Sequence, residues 1–430
     1  MTKGGANARE AALASLIRCE KQGRYSNLEL SASIGRQGFS GADKGLYTRL
    51  VYGVIERRIT LDYIISRYSD IPLDRIDPDI AAILRIALYQ LYYLDRIPES
   101  AAVNEAVDSA KRRKKSAAGF VNAVLRNAVR GGRTIPYPGE DDRSYLSVRY
   151  SIPDRMISMW KEQYGGEVCL GILEGIDRVP YTTVAVNTLK ISREELSARL
   201  AESGCDISLS ETAPRAIHIK NGFSGAAADF VKDGLCFVQD AASQNAVSAL
   251  APEPGELLID VCACPGGKSF YAALCMENTG VIHSRDLHEN KLPLIRSGAE
   301  KLGISIISAS AANATDTDPS LVGRADRVIC DVPCSGLGVI AKKPDLRYKT
   351  PEESARLPRV QSAILSASSA YLKKGGRLLY STCTLNKNEN ESVAESFLGA
   401  HRDFKLIEQK TVFPDIDIDG FFYAIIERTR

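Results

Sequence analysis

The sequence predicts a multidomain protein. An all-α front covers residues 1–138, a linker with a small α/β region covers 139–234, and a doubly wound α/β domain covers 235–430. Three observations carry this reading. Apolar residues recur three and four apart through the first 135 residues, the period of a helix burying one stripe. The stretch GGRTIPYPGEDD (131–142) then interrupts the pattern with glycine, proline and charge. From about residue 235, strand-like and helix-like runs alternate, as they do in a parallel sheet covered on both faces.

In the front region the helical runs are ALASLI (12–17), YTRLVYGVIERRITLDYIISRY (47–68), IAAILRIALYQLYYL (80–94), AAVNEAVDSAKRR (101–113) and GFVNAVLRNAV (119–129). The third is apolar nearly all round, so it belongs at the centre of a bundle. Pro72, Pro78 and Pro98 fall between helices, where a missing N–H does least damage. In the middle region a helix SIPDRMISMWKEQYG precedes a strand YTTVAVNTL, a helix REELSARLAESG and a strand AIHIK. Beyond 235 the candidate strands are LLIDVCA, VIHSRD, ISIISA, RVICDV, RLLYST and FFYAIIER. The helices between them include KSFYAALCM, NKLPLIRSGAEKLG and RVQSAILSASSAYLK, with Pro358 expected at the start of the last.

The composition, 44% hydrophobic and 25% charged, is that of a globular protein. No run approaches 18 apolar residues and the first residues lack an apolar signal core, so a cytoplasmic protein with no membrane partner is expected. Ten dispersed cysteines without a CxxC pair make a disulfide framework unexpected, and four histidines leave Cys, Asp and Lys as the candidates for chemistry. Net charge is only +2, yet residues 1–135 hold 22 Lys and Arg against 14 Asp and Glu. A basic front suggests an anionic partner at that end.

The first motif is IDVCACPGGKSF (259–270): an apolar strand, a Pro-Gly-Gly turn and a helix. In doubly wound sheets a ligand lies outside the strands' carboxyl ends, and Gly266 and Gly267 let backbone approach it. A dinucleotide loop would need GxGxxG. A P-loop would need glycine at 262, where Cys262 stands, although GKS at 267–269 and the acidic strand ending at Asp331 imitate one. An S-adenosylmethionine site fits best, with a P-loop NTPase as the rival. Asp286, ending the next strand, is placed to accept hydrogen bonds from ribose hydroxyls.

The second motif, ICDVPCSGLGVIAKKPDLRYK (329–349), sets Asp331 and Cys334 three residues apart at a strand's carboxyl end. Its basic run contains Lys342, Lys343, Arg347 and Lys349, candidate phosphate contacts if the substrate is nucleic acid. The third, YSTCT (380–384), places Cys383 at the end of another strand of that sheet. A metal site on Cys262, Cys264, Cys330 and Cys334 would have CxC and CxxxC spacings, which suit structural zinc poorly, so no metal is expected. Methylation of a pyrimidine at carbon 5 accounts for the two thiols. A thiolate adding to carbon 6 makes carbon 5 nucleophilic, and an aspartate can stabilise charge on the base.

Together PGGK (265–268), DVPCSGLGV (331–339), KPDLRY (343–348), YSTCT, NEN (388–390) and DGFF (419–422) resemble the RNA (cytosine-5) methyltransferases. LVYGVIERR (50–58), IPESAAVNEAV (97–107) and GFVNAVLRN (119–127) resemble the NusB-like RNA-binding domain. The pairing is similar to the RsmB/Sun group, which acts on 16S ribosomal RNA. The resemblance implies a NusB-like front and a Rossmann-like catalytic domain. It further implies S-adenosylmethionine as methyl donor and a cytosine of 16S rRNA as substrate; a monomer is expected, although the sequence does not fix oligomeric state. Another rRNA or tRNA cytosine remains an alternative, as does an RNA-binding module with an inactive catalytic half.

Carried over, Cys383 would be the nucleophile, Cys334 would assist release, and Asp331 would contact the base near the cofactor. Cys262, Ala263, Cys264, Pro265, Gly266, Gly267 and Lys268 would wrap S-adenosylmethionine, with Asp286 on its ribose. Asn313 stands where the family has an acidic residue near the adenine. Cys264 replaces a usual alanine, Ser269 a usual threonine, and Arg285 occupies a customarily small or apolar position. In the front domain KRRKK (111–115) is the sharpest basic run, making Lys111, Arg112 and Arg113 candidate RNA contacts.

Overall fold

The structure is a computed structural model describing residues 7–22, 26–39, 41–132, 134–221, 223, 225–349 and 354–430. The chain forms two compact units, Met1–Lys161 with Lys343–Tyr348, and Glu162–Lys342 with Lys349–Arg430.

The first unit is helical: α1 (Ala8–Gln22), α2 (Ser26–Gln37), α3 (Gly41–Glu56), α4 (Arg58–Tyr68), α5 (Pro78–Tyr93), α6 (Glu99–Arg113), α7 (Ala118–Arg130) and α8 (Tyr145–Tyr150). The all-round apolar pattern of α5 has its expected consequence: nine of its apolar positions are buried together with Arg85 and Gln90, and Leu84, Ala87 and Leu88 are fully buried. Asp77 caps it, accepting the Asp79 N–H at 3.0 Å, and Pro78 occupies the first turn, where its absent donor costs nothing. The run 47–68, read as one helical stretch, is two helices that part at Arg57. Helix α2 carries no run singled out in the sequence.

The segment Lys343–Tyr348 is a short 3-10 turn that packs as part of this helical unit. Asp345 accepts from the Ser26 hydroxyl, the Tyr348 hydroxyl donates to the Ile55 carbonyl (2.9 Å), and the Arg58 guanidinium lies 3.6 Å over the Tyr348 ring.

After α9 (Asp154–Tyr164), in which the division falls, the second unit begins with α10 (Gly166–Asp177). It contains β1 (Thr182–Val186), α11 (Arg193–Glu202), β2 (Asp206–Leu209), β3 (Ala216–Asn221), α12 (Ala226–Lys232) and β4 (Cys236–Val238). These strands form an antiparallel sheet of order β2-β3-β1-β4. The small sheet therefore reaches past residue 234, because Cys236–Val238 pairs with β1.

The larger sheet follows. Its elements are α13 (Ala241–Leu250), β5 (Leu257–Asp260), α14 (Gly267–Cys275), β6 (Val281–Asp286), α15 (Leu292–Leu302), β7 (Ile307–Ala311) and β8 (Ala325–Asp331). Then come α16 (Leu357–Ser369), β9 (Leu372–Thr382), α17 (Glu391–Ala400), β10 (Phe404–Val412) and β11 (Phe421–Arg428). The order is β10-β11-β9-β8-β5-β6-β7. Strands β5 to β9 are parallel, and β11 enters antiparallel between β9 and β10. This is the doubly wound Rossmann-like sheet with an antiparallel edge, and Pro358 sits in the first turn of α16. Chain order reverses between β5 and β8, the switch point where doubly wound sheets bind ligands. Among the described residues no helix is long and apolar enough to cross a membrane.

Candidate active site

At the switch point β5 ends at Asp260 and the chain turns through Cys262, Ala263, Cys264 and Pro265 into α14. Gly266, at φ +113°, precedes the helix; a Cβ there would meet the Phe270 ring at 2.4 Å, so conformation and space both require glycine. Gly267 has only the Gln239 amide nearby, 3.6 Å from where a Cβ would stand. Asp286 closes β6 beside this turn. One carboxylate oxygen accepts the Cys264 N–H (3.3 Å) and the other the His288 N–H (3.0 Å). The Ala312 N–H donates to the Asp286 carbonyl (3.0 Å), which sets Asn313 alongside. Asn313 is exposed and closes its own turn, donating to Asp316 (3.1 Å) and accepting the Thr315 N–H (3.2 Å).

A buried hydroxyl chain fixes the start of α14 to the sheet. Ser284 Oγ on β6 donates to Ser269 Oγ (2.7 Å), which donates to Asp260 Oδ2 on β5 (2.7 Å). Burial pushes the Asp260 carboxyl up to about 7, against the Ser269 hydrogen bond. Ser269, which replaces a threonine in the resemblance, thus retains the hydroxyl this connection uses.

Register brings the two cysteine motifs together. Parallel pairing sets Asp331 on β8 opposite Ser381 on β9, so Cys334 lies three residues and Cys383 two residues beyond that pair. Their sulfurs are 3.3 Å apart. Both thiols are partly exposed, whereas Ser335, Thr382 and Thr384 are buried. The Cys334 thiol is pushed well above its ordinary range by its hydrogen bond with Cys383, by burial and by surrounding negative charge; it holds its proton at neutral pH. Lys268 Nζ donates to Asp331 Oδ2 (2.7 Å) and Ser381 Oγ donates to Oδ1 (2.8 Å), so this carboxylate is gripped on both oxygens. The remaining motif cysteines differ. Cys330 is fully buried, and burial pushes the Cys262 and Cys330 thiols strongly up. Among the described residues no cluster of three metal-ligating side chains occurs.

The sequence reading used NEN as part of the resemblance and gave Glu389 and Asn390 no role. Both are fully buried. Glu389 accepts from the Ser335 N–H (2.9 Å), Ser335 Oγ (2.5 Å), Gln361 Nε2 (3.0 Å) and Asn386 Nδ2 (3.0 Å). Asn390 accepts from Thr382 Oγ1 (2.6 Å) and donates to the Thr384 carbonyl (2.9 Å). Gly338 and Gly420, from SGLGV and DGFF, meet backbone to backbone: a Cβ on Gly338 would lie 2.0 Å from the Gly420 carbonyl oxygen. The signal available in sequence was a carboxylate and an amide at fixed distance after the thiol; their burial was not.

Arg285 also gains an account. It donates to Asp318 (2.8 Å) and to the Tyr371 hydroxyl (3.3 Å), while the Asp318 N–H donates to that same hydroxyl (3.0 Å). The loop after β7 is thereby fastened to β6.

The basic candidates fare unevenly. Arg347 is 1% exposed, so the buried guanidinium is not presented for the phosphate contact expected of it. Lys342 bridges two carboxylates, Asp240 (2.9 Å) and Asp419 (2.8 Å), which makes it a structural cation before any other use. Lys343 is exposed. In KRRKK, Lys111 pairs with Asp108 (2.9 Å), Arg112 with Glu10, Arg113 with Asp79 (3.0 Å) and Lys114 with Asp77 (3.2 Å). The run is thus largely neutralised by neighbouring acids, though Lys111 and Arg112 remain exposed.

Three family models match stretches of the chain. Residues 247–426 match the family model described as 16S rRNA methyltransferase RsmB/F, residues 6–130 the NusB family, and residues 152–224 the RsmF/B-like ferredoxin-like domain. The chain is 38% identical to the probable ribosomal RNA small subunit methyltransferase B of Bacillus subtilis, over 93% of this chain and 90% of the relative. It is 30% identical to ribosomal RNA small subunit methyltransferase B of Proteus mirabilis, over 91% and 92%. In fold it is similar to the crystal structure of PH0851, with a TM-score of 0.81, 24% identity, and coverage of 98% of this chain and 99% of that one.

Proposed function

Because the chain belongs to the RsmB/F family of 16S ribosomal RNA methyltransferases, we propose that it transfers a methyl group from S-adenosylmethionine to carbon 5 of one cytosine in 16S rRNA, through a covalent adduct with Cys383. The observation that carries this reading is the pair of partly exposed thiols, 3.3 Å apart at the ends of adjacent parallel strands, beside Asp331 and the glycine turn.

The cofactor residues fit by their chemistry. Residues 262–268 offer a turn without side-chain bulk at Gly266 and Gly267, and Asp286 supplies an acid for ribose hydroxyls at the next strand end. Asn313, beside Asp286, offers an amide to the adenine. S-adenosylmethionine, when bound, supplies an electrophilic methyl to the nucleophilic carbon.

The chain's own residues do the rest. The Cys383 thiolate bonds to carbon 6, and the carbon 5–carbon 6 π electrons make carbon 5 the nucleophile. Asp331, oriented by Lys268 and Ser381, hydrogen-bonds the amidine edge of the base as charge builds there. After methylation, the Cys334 thiol protonates the departing Cys383 sulfur and takes up the proton from carbon 5. The carbon 6–sulfur bond breaks, the double bond returns, and both cysteines end as thiols. A raised Cys334 pKa suits this role: the group carries a proton until a leaving thiolate demands it, and is then a strong base. Exposed Lys111, Arg112 and Lys343, with Arg113, contact RNA phosphates.

The test is labelled S-adenosylmethionine with unmethylated 16S rRNA. Cys383→Ala lowers methyl transfer at least about a thousandfold, and Cys334→Ala accumulates a denaturation-resistant protein–RNA adduct. Full transfer by Cys383→Ala overturns the reading.

A further inference from the structure

We propose that Glu389 and Asn390 are two positioning residues with separate duties, Asn390 setting Cys383 for attack and Glu389 setting Cys334 for release. The proposal rests on the covalent reading above and assigns roles to residues that reading does not use.

The geometry divides cleanly. Cys383 lies between Thr382 and Thr384, and Asn390 holds both: its Oδ1 takes the Thr382 hydroxyl (2.6 Å) and its Nδ2 gives to the Thr384 carbonyl (2.9 Å). Each arm of the amide grips one flank of the nucleophile, and no other side-chain type offers an acceptor and a donor at that spacing with so little bulk. Cys334 is followed directly by Ser335, whose N–H and hydroxyl both end on Glu389 (2.9 and 2.5 Å). On the other side of Cys334, the Pro333 carbonyl accepts from Gln361 Nε2 (2.9 Å), and that same nitrogen donates to Glu389 (3.0 Å). Glu389 thus reaches both flanks of Cys334, one directly and one through Gln361.

A backbone N–H, a hydroxyl and two side-chain amides donate to this fully buried carboxylate. A group so placed specifies geometry, because each donor it orders would otherwise be buried without a partner. The loops also meet directly: Ser335 Oγ lies 2.6 Å from Thr384 Oγ1, and the Leu337 and Gly338 N–H groups donate to Thr384 Oγ1 (3.2 Å) and to the Cys383 carbonyl (3.0 Å), so the clamps are adjacent yet end on the flanks of different sulfurs. Misplacing a reacting group by an ångström costs roughly a hundredfold, and each clamp therefore controls the step its own cysteine performs.

The experiment measures adduct and methyl transfer with unmethylated 16S rRNA and labelled S-adenosylmethionine. Glu389→Gln turns an acceptor into a donor facing donors. Adduct is expected to accumulate to the level of Cys334→Ala while turnover falls roughly a hundredfold. Asn390→Ala, made in the Cys334→Ala background, is expected to abolish the adduct. Thermal unfolding and S-adenosylmethionine binding report whether each variant is folded. Gln361→Ala and Thr382→Val loosen the same clamps while leaving Glu389 and Asn390 in place, and are expected to move in the same opposite directions by smaller factors. Parallel loss in both clamps, or adduct levels unchanged from the parents, overturns the proposal. If wild type transfers no methyl group or Cys334→Ala forms no adduct, the underlying reading fails instead.

Discussion

Glu29 in the helical unit and Asp260 in the sheet unit are equally buried, 1% exposed each, and are held by opposite means. Glu29 accepts from the Arg18 guanidinium (2.8 Å) and from the hydroxyls of Ser33 (2.8 Å) and Ser15 (3.2 Å). Burial would raise its pKa, but Arg18 and the hydroxyls prevail and hold it at about 2. Asp260 accepts from Ser269, and burial prevails, lifting it to about 7. In one unit a guanidinium compensates the charge, and the carboxylate adds stability as an ion. In the other, a hydroxyl chain fixes position while leaving the ionised form poorly compensated. Glu389, in the sheet unit, is likewise held in place by backbone, hydroxyl and amide donors. The lesson is drawn at these two positions: the helical unit compensates a buried carboxylate with a guanidinium, whereas the sheet unit holds one by a hydroxyl chain beneath the glycine turn.

The largest effect that would break this comparison is on Glu29. Glu29→Gln removes the ion that Arg18 pairs with, and should cost about 2–3 kcal/mol of stability, the worth of charged hydrogen bonds. Denaturant unfolding followed at Trp160, the single tryptophan and fully buried, measures it. Methyl transfer below the melting range should be unchanged. A loss under about 0.5 kcal/mol, the ordinary size for a surface substitution, would mean that the pairing is incidental.

Next in size is the response to acid. The folded pKa of Glu29 is below its unfolded value, so between 4.5 and about 2 the unfolded chain binds the extra proton. Its stabilisation is present above pH 4.5 and is lost as pH falls through about 2. The pH dependence of Trp160 unfolding should therefore steepen below pH 4.5 in wild type and flatten in Glu29→Gln. An identical dependence in the two proteins would contradict the assignment.

What was legible in the sequence was local. The glycine turn, Asp286, Asp331 and both cysteines are in contiguous motifs at strand ends, and a strand end can be read from an apolar run and its stop. What was hidden depends on contacts distant along the chain. NEN reads as a motif without assigned roles because nothing local states that Ser335 and Gln361 will cover Glu389. KRRKK reads as a bare cationic patch because Glu10, Asp77 and Asp79 are recruited from other helices. Arg347 reads as a phosphate contact because its run is basic, yet the turn carrying it packs with helices hundreds of residues earlier. Strand β10 was missed for a different reason: as an exposed edge it needs few apolar residues, so its pattern is weak.

The smallest expected effect sharpens the contrast from the catalytic side. The folded pKa of Asp260, about 7, lies above its unfolded value of 3.8, so between those values the native protein holds a proton that the unfolded chain has released. Stability from this group is fully present below pH 3.8 and is lost as pH rises through about 7, the reverse of Glu29. Asp260→Asn keeps the shape and an acceptor for Ser269 while removing the titration. The variant should match wild type near pH 4 and equal or exceed it at pH 8, because the neutral amide escapes the cost of ionising in place. Some slope should survive, because Asp419, also raised to about 7 by burial and by Asp240, titrates with the same sign. Stability measured across pH 4–8 decides the matter. A variant less stable than wild type at pH 8 would show that Asp260 is compensated as well as Glu29, and the two units would then bury charge alike.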